Sequence, residues 1–98
     1  MSDVLDAIAA VVAERRDADP EISYVASLNV KGIDKILEKV GEEAVEVVLA
    51  AKNADSSMGD SADVINEVAD LVFHILVMLD RLGLSHNDVM AALAARQG

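Results

Sequence analysis

The chain has 98 residues, which is enough for one domain, so a single domain is expected over residues 1–98. Its formal net charge of −10 argues against binding to nucleic acid or to anionic membranes, because both need a basic protein surface. It has no cysteine, which excludes disulfides and thiolate metal sites. Hydrophobic residues make up 53% of the chain, more than a small monomer can readily bury, so we expect self-association.

No segment reads as a targeting or membrane signal. The acidic N-terminus lacks the basic flank of a signal peptide. The longest apolar run, residues 71–79, contains His74 and is far shorter than a membrane span. These features predict a cytoplasmic protein.

Apolar residues recur at helical spacing in four segments, and nothing resembles a strand. The segments cover about residues 3–16, 33–53, 60–82 and 86–96. Residues 20–32 break any period, so we expect a connector there that contains at most a short helical turn. The pattern predicts an all-α fold, a bundle of four to five helices.

The ends of the later helices carry specific signals. Gly83 is typical of the residue that follows a helix, and Ser85-x-x-Asp88 resembles a capping box that starts the next one. Gly41, inside the second predicted helix, costs about 1 kcal/mol relative to alanine, which a close approach of another backbone or of a ligand would explain. The last helix is expected to bury Val89, Met90 and Leu93.

The two long helices present apolar stripes. The third predicted helix is apolar on more than one face, because Phe73 and Val77 extend its surface, and a second subunit is expected to supply the extra cover. The stripes are Ile33, Ile36, Leu37, Val40, Ala44, Val47, Val48 and Ala51 on one helix, and Val64, Ile65, Val68, Leu71, Val72, Ile75, Leu76 and Leu79 on the other.

Two acidic motifs lie along the borders of these stripes. They are Glu43-x-x-Glu46 and Glu67-x-x-Asp70, and the spacing of three places both carboxylates of each motif on one side of its helix. Packing of the two helices would bring the four acids together, and their repulsion then requires a cation. Mg²⁺ suits carboxylate ligands and usually serves phosphate chemistry.

Each motif also has an ordinary interpretation. A lone Glu-x-x-Glu is usually a solvated helix face, and a single histidine such as His74 is more often a hydrogen-bonded structural residue than a ligand. Lys39 can pair with Glu43 at i+4, in the weaker orientation. Glu42 either supports the neighbouring acids or faces water.

The chain resembles the phosphoribosyl-ATP pyrophosphohydrolase family. The resemblance rests on the block from Ser23-Tyr24 through Lys39-Val40-Gly41-Glu42-Glu43-Ala44-Val45-Glu46, on residues 67–77 and on residues 81–89, and it covers nearly the whole chain. The chain departs from the family pattern at Val25, where threonine is common, and at Phe73, where tyrosine is common.

The resemblance implies hydrolysis of phosphoribosyl-ATP to phosphoribosyl-AMP and pyrophosphate, the second step of histidine biosynthesis. It implies the all-α nucleoside triphosphate pyrophosphohydrolase fold, dimers or dimer-based assemblies, and Mg²⁺ bound by the four acids, one of which, or Glu42, accepts a proton from water. The further candidates for substrate contact are Lys31, Gly32, Lys35, Lys39, Tyr24 and His74.

Three alternatives stay open at this point. One is a housekeeping pyrophosphohydrolase of the same superfamily that acts on other nucleoside triphosphates. The second is an acyl carrier protein, because Asp60-Ser61 resembles its attachment site, although Ala62 follows where those proteins have a large apolar residue. The third is a helical dimer without catalytic activity.

Overall fold

A computed structural model describes residues 2–97, and every regular element in that range is an α-helix. The helices are α1 (Ser2–Arg15), α2 (Tyr24–Lys31), α3 (Ile33–Asp55), α4 (Ser61–Arg81) and α5 (His86–Ala95). The predicted all-α class is confirmed. The described residues form five helices, the larger of the two predicted numbers. Across residues 2–97, no helix combines the length and the hydropathy that crossing a membrane would need.

The main difference from the sequence prediction is α2, an eight-residue helix inside the expected connector. Ser23 caps it, since its hydroxyl accepts a hydrogen bond from the backbone N–H of Ala26. Its polar residues, which break the apolar period, bond to their own helix: Asn29 donates to the carbonyl of Val25 at 3.0 Å. The helix therefore forms because a cap and buried apolar residues outweigh the weak periodicity; the buried residues are Val25, Ala26 and Leu28.

The predicted helix ends agree with the structure. Gly83 has a φ of +74°, the left-handed conformation that glycine adopts readily at the end of a helix. Ser85 and Asp88 form the capping box at the start of α5. Gly32 separates α2 from α3 with a φ of +102°, which any residue with a Cβ would adopt only under strain.

The hydrophobic core lies where α1, α2, α3 and α4 meet, and α3 packs most extensively against α4. The six buried residues of this core are Val12, Val25, Leu28, Ile36, Leu76 and Val77.

The fifth helix adds no residue to that core, which corrects the prediction for its apolar face. Val89, Met90 and Leu93 all remain well exposed in the single chain. The clearest link between α5 and α1 is a hydrogen bond that His86 Nε2 donates to Asp6 Oδ1 at 2.6 Å. The expected burial is absent because one chain supplies nothing to cover this face.

The stripes on α3 and α4 are also only partly covered. Ile36 is the only member of the α3 stripe that is buried, while Val48 is 65% exposed. On α4, Leu76 and Leu79 are buried and Ile65 is 68% exposed. The buried positions lie where α1 and α2 cover the helices α3 and α4. The apolar surface of α3 and α4 beyond that region faces outward.

Candidate functional site

Three of the four predicted acids meet between α3 and α4. One carboxylate oxygen from each of Glu43, Glu46 and Glu67 lies within 4.8 Å of the corresponding oxygens of the other two. Glu43 and Glu46 are one turn apart on α3, and α4 brings Glu67 opposite them. We call Glu43, Glu46 and Glu67 the acidic cluster.

Two oxygens of the acidic cluster are buried without a partner. Glu43, whose residue is only 8% exposed, and Glu67 each have a buried Oε2 that makes no hydrogen bond to any residue in the range 2–97. A buried carboxylate oxygen without a partner is costly, since it has lost water and gained nothing in return. The cluster thus has unused capacity to accept donors or to bind a cation.

The spacing of the cluster fits a small divalent cation. Mg²⁺ binds oxygens at about 2.1 Å, so two oxygens on one ion lie at most about 4.2 Å apart. Oxygens within 4.8 Å of one another need only small side-chain adjustments to reach that spacing. The oxygen-only donor set and the two buried orphaned atoms both fit Mg²⁺.

Asp70 lies outside the acidic cluster. Its side chain is exposed, and its oxygens are not among those that lie within 4.8 Å of one another. The sequence prediction that four acids converge therefore has three members in this structure. Asp70 is still close enough for its negative charge to act on Glu67, one turn before it.

The mutual repulsion of these acids contributes to a raised pKa of Glu67. Hydrogen bonding to Glu46 raises the pKa of the Glu67 carboxyl above its ordinary value. Burial raises this pKa too, and so do the negative charges of Glu46, Asp70 and Glu43. The cluster therefore resists carrying its full negative charge.

Among the described residues, Lys39 is the cation that forms an ion pair with the cluster. Its Nζ lies 3.1 Å from Glu42 Oε2 and 3.8 Å from Glu43 Oε1, so the predicted Lys39–Glu43 pair is present. The hydrogen bond between Lys39 and Glu42 raises the pKa of the lysine and lowers that of the glutamate. A lowered pKa makes Glu42 a weaker base than an ordinary glutamate.

The other predicted phosphate contacts lie further along the same surface. Lys35 pairs with Glu38 on its own helix at 3.3 Å. Lys31 is exposed at the end of α2, and Gly32 follows it. The positive φ of Gly32 already explains why glycine occupies this turn between α2 and α3, without any contact to a ligand.

His74 is buried and hydrogen-bonded, as the commoner interpretation of a lone helical histidine predicts. Its Nδ1 lies 2.7 Å from the main-chain oxygen of Asp70, and its Nε2 lies 2.8 Å from the hydroxyl of Tyr24. The rings of Tyr24 and Phe73 stack with centroids 6.4 Å apart. Sequence reasoning missed the Tyr24–His74 contact, because the two residues are 50 positions apart and no local pattern relates them.

A cleft of about 330 Å³ opens beside the acidic cluster. Glu46 and Glu67 lie on its wall, and the loop between α3 and α4 closes one end with Met58 and Gly59. The cleft gives a ligand a route to the carboxylates of Glu46 and Glu67.

A comparison against protein families agrees with the all-α fold. The chain matches the family model described as phosphoribosyl-ATP pyrophosphohydrolase over residues 5–97. The match covers nearly the whole chain, as the resemblance in the sequence implied, and it makes an acyl carrier or a non-catalytic dimer untenable as the main function. The chain therefore belongs to the phosphoribosyl-ATP pyrophosphohydrolase family, which consists of hydrolases of histidine biosynthesis.

Proposed function

We propose that the acidic cluster, with Asp70 one turn further along α4, holds Mg²⁺, and that the chain uses it to hydrolyse phosphoribosyl-ATP to phosphoribosyl-AMP and pyrophosphate. The observation that carries the proposal is the pair of buried oxygens, Glu43 Oε2 and Glu67 Oε2, that have no partner within residues 2–97. A protein retains such atoms at a loss of stability, and a bound cation would satisfy both.

A divalent cation here supplies neutralisation of phosphate charge and activation of water. In the reaction, the oxygen of water forms a bond to phosphorus at the α–β linkage, the bond to the bridging oxygen breaks, and pyrophosphate leaves. A carboxylate of the acidic cluster accepts the proton of the water. Glu42 is the less suitable base, because its hydrogen bond to Lys39 lowers its pKa.

Lys39 and Lys35 are proposed to bind phosphate oxygens as point charges. Lys39 already lies between Glu42 and Glu43, so it can exchange a carboxylate for a phosphate oxygen without leaving the site. Lys31 and Gly32 approach from the junction of α2 and α3. Because the chain is strongly acidic, these few cations carry most of the attraction for a polyphosphate.

A second copy of the chain is proposed to cover the outward apolar surfaces, giving a homodimer or a larger assembly built from dimers. The accessible surface is 6554 Å², against about 5400 Å² for a compact monomer of this mass. The Cα radius of gyration is 14.9 Å, against about 13 Å for a compact domain of 100 residues. An apolar groove of about 560 Å³ between α1, α4 and α5 is one surface that a second copy would fill.

The test is pyrophosphate release from phosphoribosyl-ATP, with Mg²⁺ and with a chelator, by the wild type and Glu46→Gln. Glu46 is exposed, so the substitution should leave the helical circular dichroism unchanged while activity falls by about 100-fold or more. Glu14→Gln, which alters an exposed glutamate of α1, is the matched control and should keep full activity.

Two results would contradict the proposal. Full activity of Glu46→Gln, or full activity with the chelator, would remove the cluster from the chemistry. Faster release of pyrophosphate from ordinary nucleoside triphosphates than from phosphoribosyl-ATP would instead indicate a housekeeping pyrophosphohydrolase of the same superfamily.

A further inference from the structure

The Tyr24–His74 contact has a defined hydrogen-bond direction. The main-chain oxygen of Asp70 can only accept a hydrogen bond, so His74 Nδ1, 2.7 Å away, must carry a proton and donate it. In the neutral imidazole, Nε2 is then an acceptor. While the imidazole is neutral, the hydroxyl of Tyr24, 2.8 Å from Nε2, therefore donates a hydrogen bond to His74.

This direction leaves the Tyr24 oxygen with lone pairs and no proton to offer. It can accept a further hydrogen bond, but it cannot donate one. An ionised phosphate oxygen is only an acceptor, so it would meet the lone pairs of Tyr24 without a proton between them. A hydroxyl or amino group of a ligand, which can donate, is the matching partner.

Tyr24 lies within range of charges at the acidic cluster. The charges of Lys39 and Glu43 act on its phenol. His74 follows Glu67 by two turns of α4, so this helix positions one member of the cluster and the anchor of the phenol. Tyr24 remains 47% exposed, and Phe73 stacks against its ring, so its oxygen is held in place at a surface that a ligand can reach.

We propose that Tyr24 Oη is a specificity-determining acceptor that binds a ribose hydroxyl of the substrate, and that His74 is the positioning residue that fixes its direction. The proposal rests on the function proposed above, since it assigns part of the same substrate. The lysines and a cation held by the cluster would bind the triphosphate, and the phenol would bind the sugar, which inorganic triphosphate lacks.

The experiment compares a ligand that has hydrogen-bond donors with one that has none. For Tyr24→Phe, the KM for phosphoribosyl-ATP should rise by about 3- to 10-fold, the factor that one neutral hydrogen bond contributes. The kcat should change little. The inhibition constant of inorganic tripolyphosphate with Mg²⁺ should stay at the wild-type value, because that ligand has no hydroxyl. Ser27→Ala removes another hydroxyl from α2, one that bonds only to the backbone of its own helix, and should change neither constant.

Substitutions of His74 separate positioning from simple packing. His74→Gln places an amide oxygen where it can accept from Tyr24, and it should keep the KM near the wild-type value. His74→Leu has no acceptor and should reproduce the rise in KM of Tyr24→Phe. If His74→Leu fails to fold, Tyr24→Phe and His74→Gln still decide the question.

Three outcomes would overturn the proposal. The first is an unchanged KM in Tyr24→Phe, and the second is a weaker binding of tripolyphosphate in that variant, which would place phosphate at the phenol. The third is an equal rise in KM for His74→Gln and His74→Leu. A wild type that releases no pyrophosphate from phosphoribosyl-ATP would instead refute the proposed function, and this inference with it.

Discussion

The helix pair α3–α4 contains two regions of opposite character. Near the core, Ile36 and Val77 are completely buried against apolar neighbours. Two turns after Ile36, Glu43 is nearly as buried, yet its Oε2 has no hydrogen-bond partner in the part of the chain that the structure describes. Around Ile36 and Val77 the two helices complete their apolar contacts, while at Glu43 a polar contact stays incomplete and is free for a ligand from outside the chain.

This contrast has an energetic meaning. Burial of apolar side chains stabilises the fold, while crowding of carboxylates at the acidic cluster opposes it. A domain of this size has a small net stability, so each region contributes visibly. Substitutions in the two regions should therefore change stability in opposite directions.

The largest expected effect is at the core. Ile36→Ala should lower the free energy of unfolding by about 2–5 kcal/mol, because it leaves a cavity beside Leu28 and Val77. Urea denaturation followed by circular dichroism measures the loss. Val30→Ala, at an exposed position of α2, is the control and should change the free energy by less than about 0.5 kcal/mol. Equal losses of unfolding free energy for the two substitutions would contradict the claim that the region around Ile36 is the stabilising core.

Mg²⁺ should stabilise the second region. At a concentration 100 times its dissociation constant, it should raise the free energy of unfolding by about 2.7 kcal/mol, since it binds the folded state alone. Thermal melting with Mg²⁺ and with a chelator measures the shift. Most of the shift should disappear in Glu46→Gln and persist in Glu14→Gln. A shift of the same size in both variants would place the cation elsewhere.

Glu67→Gln should raise the melting temperature of the metal-free protein by a few degrees while abolishing activity. The amide removes a charge that the cluster resists, because the pKa of Glu67 is raised by Glu46, by burial and by the other acids. With saturating Mg²⁺, the order should reverse, since the wild type gains the cation.

The advantage of Glu67→Gln should depend on pH. In the wild type, a protonated Glu67 stabilises the folded state, because its pKa is higher in the folded protein than in the unfolded one. This stabilisation is fully present below the ordinary carboxyl pKa and is lost as the pH rises through the raised pKa. The difference in melting temperature between the two proteins should therefore be smallest in acid and largest at neutral pH. A difference that does not vary with pH would mean that charge is not its cause.

The smallest effect concerns Gly41. Apart from its own turn of α3, no atom in the described part of the chain lies within 4 Å of where a Cβ on Gly41 would stand, so the close approach anticipated from the sequence is not made by the chain itself. Gly41→Ala should stabilise the fold by about 0.5–1 kcal/mol, measured by urea denaturation. Gly83→Ala is the contrasting control and should destabilise, because its φ is +74°. A destabilised Gly41→Ala would indicate that a second copy or a ligand approaches this turn.

Sequence patterns predicted the features that are local. Gly83 and the Ser85–Asp88 capping box mark helix ends through backbone chemistry that acts within a few residues. Burial was predicted less well. Glu43 and Asp70 occupy similar positions beside apolar stripes, yet one is buried and the other exposed, because the difference depends on how α3 and α4 are rotated against each other.

The helix α2 and the contact between Tyr24 and His74 also depend on tertiary packing, so local sequence patterns did not predict them. The helix is held by the burial of Val25 and Leu28 against other helices, which no periodicity within residues 20–32 reveals. A hydrogen bond between residues 50 positions apart depends on the completed packing of α2 on α4.

The position of Tyr24 has a practical consequence. The chain has one tyrosine, one phenylalanine and no tryptophan, and phenylalanine emits only weakly, so nearly all of its intrinsic ultraviolet emission comes from that phenol. Because the phenol bonds to His74 and senses the charges of Lys39 and Glu43, binding of a cation or substrate at the acidic cluster should alter the intensity of its emission. The unlabelled protein thus contains an optical reporter at the place where its chemistry is proposed to occur.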